Sequence, residues 1–119
     1  MEVARAQHMN AADSPCGEAV ATSDVASCFD KALKTADANL NRTYTRVQRA
    51  LDTNEQKQLL QAQRLWIQFR DVTCNAERGL YGGGSRGAPA YLACLEAQTR
   101  NRYSDLLATY GWRLEKRGM

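Results

Sequence analysis

A chain of 119 residues, 44% hydrophobic and 24% charged, is one domain of ordinary globular sequence, large enough to bury a core and small enough to gain from cross-links. A net charge of +3, from 16 basic and 13 acidic side chains, is too weak to specify nucleic acid as a partner, and no apolar run approaches the roughly 20 residues of a transmembrane segment. Four cysteines without a CxxC pair, and one histidine, fit no zinc-ligand spacing, so no metal or other cofactor is expected; two disulfides, and with them an oxidising compartment, fit better.

Residues 1–15 are expected to form a disordered lead, since MEVARAQHMNAA has no periodicity and its His-Met pair reads as a cloning remnant. The folded domain is expected over 16–112, with a tail at 113–119. Charge is uneven: residues 1–30 carry one arginine and five acids, residues 31–70 eight basic residues and three acids.

From about Ser23 to Leu51, Val25, Phe29, Ala32, Leu33, Ala36, Leu40, Tyr44, Val47 and Leu51 recur at spacings of three and four, a helical stripe that Ser23 or Asp24 can cap. Lys31, Arg42, Arg46 and Arg49 make a basic ridge on its outer side, read as a solvated face or as a contact for an anionic polymer. The DTN at 52–54 ends this helix, and Asn54 is the expected cap of the next.

A second helix is predicted from about Glu55 to Leu80. Leu59, Ala62, Trp66, Phe69 and Thr73 form one stripe, and Leu60, Ile67 and Cys74 a second on its flank. So wide an apolar arc predicts neighbours on two sides, with Trp66, Ile67 and Phe69 in the core. Arg70 falls between the stripes, where a guanidinium needs a carboxylate; Glu77, Glu96 and Asp105 are candidates, while Asp71 is expected in solvent. Trp66, Phe69 and Arg70 are accordingly read as structural.

The segment YGGGSRG (81–87) cannot continue a helix cheaply and fits neither a phosphate-binding loop nor a dinucleotide fingerprint. It is either a plain helix connection or a small protruding loop that delivers Tyr81, Ser85 and Arg86 into a partner's cleft. Pro89 suits the first turn of a third helix, to about Tyr110, closed by Gly111. The resulting expectation is all-α: an antiparallel three-helix up-down-up bundle stapled by two disulfides. Cys74 and Cys94 lie symmetrically about the glycine loop, at matching height on facing helices, which leaves Cys16 with Cys28; Cys28 with Cys74 also satisfies the height condition. No nucleophile pair, metal cluster or acid/base carboxylate pair assembles from these residues, so an enzyme is not expected.

Cys16-x11-Cys28, LNRTYTRV (40–47), AQRLWIQFRDVTC (62–74), GGGS (82–85) and YLACLEAQTRNR (91–102), taken in order, resemble the LprI-type family of small secreted bacterial domains over roughly residues 16–107. Trp66, Arg70, Asp71, Gly83 and the cysteines match its pattern. The resemblance implies a helical, disulfide-linked envelope protein, periplasmic or secreted, often lipid-anchored as a precursor, whose founding member is described as a lysozyme inhibitor. The expected partner is therefore a lysozyme or other cell-wall hydrolase. The alternatives are an immunity-type protein against another envelope toxin, or a structural protein contacting anionic wall polymers.

Overall fold

The computed structural model of the protein describes residues 7–17, 19 and 21–116. Three helices, α1 (Thr22–Arg49), α2 (Thr53–Gly79) and α3 (Gly87–Lys116), follow a short 3₁₀ turn at His8–Asn10. They alternate in direction as an up-down-up bundle, held by the disulfides Cys16–Cys28 and Cys74–Cys94. Among the described residues no helix is long and apolar enough to cross a membrane.

The stripe of α1 is the core. Leu40, Val47, Ala50 and Leu51 meet Leu59, Leu106 and Leu114 at the α1–α2 turn, with Trp66, Tyr103 and Tyr110 around them. At the opposite end Phe29 packs with Met9, Cys16, Ala90 and Ala93. The small buried residues of α3, Ala90, Ala93 and Ala97, let α1 lie close along it. Helix α3 is the hub, packed against both other helices. By contrast, α1 and α2 are linked through polar side chains: Gln48 and Gln56 bond reciprocally at the turn, and Arg70 on α2 reaches Asp37 on α1.

Three expectations are corrected. Asp52, not Asn54, caps α2: its carboxylate accepts from the Glu55 N–H, and the Glu55 carboxylate accepts from the Asp52 N–H, a reciprocal box that satisfies two otherwise unpaired donors. Gly111 does not end α3. A mid-helix glycine costs roughly 0.5–1 kcal/mol, and burial of Leu114 together with the Arg113 ion pair to Glu55 outweighs it, so residues 113–116 are helix; residues 117–119 lie outside the description. Nor is the described part of the lead free. Met9 is buried, His8 Nδ1 lies 2.6 Å from Glu77 Oε1, and Arg100 joins Asp13 to the buried Glu96.

The Glu55 clamp gives the fold an acid-side signature. The bidentate Arg113 guanidinium, and then the Asp52 N–H, hold its carboxyl at about 2 against an ordinary 4.5. A depressed folded value contributes stability above the unfolded value and loses it as pH falls toward the folded one. The melting temperature of Glu55→Gln is therefore expected to lie below that of the parent at neutral pH and to converge on it between pH 4.5 and 2. Thermal melts across that window check this; parallel curves would show that the clamp adds nothing.

Candidate functional site

The end of the bundle formed by the α2–α3 connection is built from the glycine run outward. Gly82 and Gly83 adopt φ of +56° and +82°, a region that side chains other than glycine rarely enter. Gly84 N–H donates to the Tyr81 carbonyl and Gly87 N–H to the Gly84 carbonyl, so the connection is a chain of tight turns with defined shape. The Cys74–Cys94 bridge, with Cα atoms 5.5 Å apart, clamps the two helices that carry it.

Of the three residues proposed for this tip, the structure separates one. Tyr81 is half-buried and packs on the cluster of Met9, Phe29 and Ala93, so it anchors the loop instead of projecting from it. Ser85 and Arg86 are exposed. The Arg86 side chain donates to the Met9 sulfur, at 3.8 Å, and has no ion pair among the described residues. It stands at the rim of a recess of about 160 Å³ lined also by Met9, Asn10 and Val25. Next to the tip, Leu80 is 82% exposed. A braced turn thus presents a hydroxyl, a guanidinium and an apolar side chain together, a set suited to docking against a polar cleft with a carboxylate in it.

The residues read as structural fare differently from one another. Arg70 is mostly buried and lies 5.2 Å over the Trp66 ring. It donates from Nε to Asp71 at 3.0 Å and from Nη1 to the fully buried Thr99 hydroxyl at 3.4 Å, with Asp37 at 3.8 Å. Its partners are therefore Asp71 and Asp37, not Glu77, Glu96 or Asp105, because the side chain turns toward the gap between α1 and α3. Arg102 approaches Trp66 too, at 5.9 Å, while bonding Gln63. Phe69, expected in the core, is 59% exposed, and Ile67 is 39% exposed: the wide apolar arc of α2 packs chiefly on α3, and the side that carries Phe69 is bare. Lys31, Arg42, Arg46 and Arg49 share one side of α1, with Arg46 half-buried.

His8, Glu77 and the Cys94 sulfur come together within 4.8 Å. That sulfur is bonded to Cys74 and offers no thiolate, so only two ligands remain, short of a metal site. Sequence reasoning missed the His8–Glu77 contact and the exposure of Leu80. The first joins residues 69 positions apart with no local signal, whereas the second could be read from a leucine set between Gly79 and the glycine run at 82–84.

Comparison with known proteins places these features in a family frame. Residues 13–106 match the family described as lysozyme inhibitor LprI, a span that holds both disulfides, Arg70 and the tip. An uncharacterized protein of Rhizobium meliloti (strain 1021) is 32% identical over 104 residues, covering 76% of this chain and 75% of that one. No solved structure matches.

Proposed function

Since the chain belongs to the LprI family of lysozyme inhibitors, we propose that it is a non-enzymatic protein of the bacterial envelope, periplasmic or secreted, that inhibits a lysozyme by placing its glycine-loop tip in the catalytic cleft. The observation that carries this reading is the braced tip with Ser85 and Arg86 exposed and Arg86 without a carboxylate of its own. Lysozymes cleave their polymer with two carboxyl groups flanking the scissile bond. A guanidinium set between them makes charge-assisted hydrogen bonds and excludes substrate. The glycine turns and the disulfide fix the tip before binding, which lowers the ordering entropy lost on association.

Charge narrows the target. A net charge of +3 gives little steering toward a strongly basic lysozyme, so a less basic lysozyme or a bacterial wall hydrolase suits this inhibitor better. The test is a turbidity assay of wall lysis titrated with oxidised protein against chicken-type, goose-type and invertebrate-type lysozymes. Near-stoichiometric inhibition of one class is expected. Arg86→Ala should weaken it roughly 10- to 100-fold, the range of an interface hot spot, with an unchanged melting temperature because the side chain is exposed. No inhibition of any class at large excess would remove the cleft reading, and wild-type inhibition by both Arg86→Ala and Ser85→Ala would remove the tip assignment alone.

A further inference from the structure

Apart from the tip, the structure has a groove of about 400 Å³ between α1 and α3, a volume within the range of small-ligand sites. Ala32, Thr35, Ala36 and Asn39 line it from one face of α1, and Glu96, Arg100 and Tyr103 from one face of α3. Each side is about two helical turns long, or roughly 10 Å, the span of about three extended residues. Ala32 and Ala36 give the groove a floor of methyl groups, while Tyr103 and Pro15 of the lead add apolar walls.

The charged chemistry of the groove sits at Arg100. The Glu96 side chain is 5% exposed, and both its oxygens accept from Arg100, from Nε at 3.0 Å and from Nη2 at 3.1 Å. A bidentate pair of this kind fixes the plane of the guanidinium. Asp13, on the exposed part of the lead, accepts from Nη1 at 3.0 Å, which leaves one N–H on each terminal nitrogen of a side chain that lines the groove. The hydrogen bond and charge of Arg100 hold the Asp13 carboxyl below its ordinary 3.8, so the position already favours a carboxylate. Two further side chains present an amide-binding pair. The Asn39 side-chain oxygen accepts from Arg42, leaving the NH₂ group to donate, and the Thr35 hydroxyl donates to the Lys31 carbonyl, leaving its oxygen to accept.

We propose that this groove binds the free carboxyl end of a short peptide. Arg100 receives the terminal carboxylate, Asn39 donates to a peptide carbonyl, and Thr35 accepts from a peptide N–H. Ala32 and Ala36 extend no further than a methyl group, so the peptide lies close along α1. Asp13 is an internal competitor for Arg100. It stands between two anchors of the lead, the buried Met9 and the disulfide-bonded Cys16, so its side chain turns aside without release of the segment. An exposed ion pair of this kind costs little to exchange, and the exchange conserves charge, one carboxylate leaving Arg100 as another arrives. An uncharged ligand would leave the remaining guanidinium donors unused.

The test is an NMR titration of the oxidised protein with N-acetyl-dialanine, with its carboxamide, and with acetate alone. Saturable shifts at residues 32–39 and 96–103 are expected with the acid, at a dissociation constant roughly 10-fold or more below that of the carboxamide or of acetate. Asp13→Asn removes the competitor and should tighten binding roughly 2- to 5-fold. Ala32→Leu fills the floor and should weaken it roughly 10-fold or more, with an unchanged melting temperature because Ala32 is only half-buried. Neither variant touches the buried Glu96–Arg100 pair, so neither depends on a fold that lacks it. No saturable shift by roughly 10 mM peptide overturns the proposal. Equal affinity for acid and carboxamide overturns it too, as does equal affinity for acetate, or an Asp13→Asn protein that binds no better than the parent. Arg86→Ala, at the tip, should leave the titration unchanged, so this proposal and the inhibitor reading fail independently.

Discussion

Replacing both Cys74 and Cys94 by alanine is expected to remove about 3–4 kcal/mol of stability. The bridge closes a loop with a sequence separation of 20, for which the loop-entropy model gives roughly 3 kcal/mol. Both cysteines are fully buried beside Leu95, Leu33 and Tyr91, so truncation also leaves a small void. For a domain of this size the melting temperature should fall by on the order of 10–15 °C. The Cys16–Cys28 bridge spans only 12 residues and should yield a smaller entropic loss. Thermal melts of the two double-alanine proteins under non-reducing conditions measure both. A drop of only a few degrees for Cys74/Cys94 would mean that the packed ends of α2 and α3 hold the hairpin unaided, and the tip would then owe its shape to Tyr81 and the turn bonds.

Arg70→Ala is expected to cost about 2 kcal/mol and to be poorly rescued by lysine. The guanidinium meets all three helices, through Asp37, Asp71 and Thr99. Breaking a buried ion pair costs roughly 3–5 kcal/mol, but Asp37 and Asp71 remain nearly half exposed and recover water once the arginine is gone, which lowers the figure. Lysine supplies the charge without the planar fork that reaches Asp71 and Thr99 while lying over Trp66. Urea unfolding of Arg70→Ala and Arg70→Lys, with Trp66 fluorescence as the probe, decides this. Full recovery in Arg70→Lys would show that charge alone matters at this position.

Much of the fold is legible in the residues. The three-and-four spacing from Val25 to Leu51, the glycine run at 82–84 and the placing of Cys74 and Cys94 around it each point to the same bundle, because each is a local constraint that tertiary contacts do not reverse. What escaped was set by neighbours. Phe69 and Trp66 lie on one predicted stripe, yet only Trp66 packs inward; periodicity ranks positions on a helix without saying how many helices surround it. Met9 and His8 carry no periodic signal, and their burial and bonding depend on residues some seventy positions away. The Asp52 box was legible, since Asp-x-x-Glu is its pattern. Of the candidate site, the tip as a place was readable from composition, while the inward turn of Tyr81 was not.

The central position of α3 has a consequence for how the chain comes to be folded at all. A ribosome makes α1 and α2 first, and these two meet through a few polar links and one apolar patch around Leu59, so a nascent chain that lacks α3 can close only a small part of its core. Cooperative folding then waits for α3, the last of the three helices to be made, and long-range contacts form only after all three are available. Until α3 emerges, Cys74 lacks its disulfide partner, Cys94. A single helix at the carboxyl end thus acts as a timer that postpones compaction.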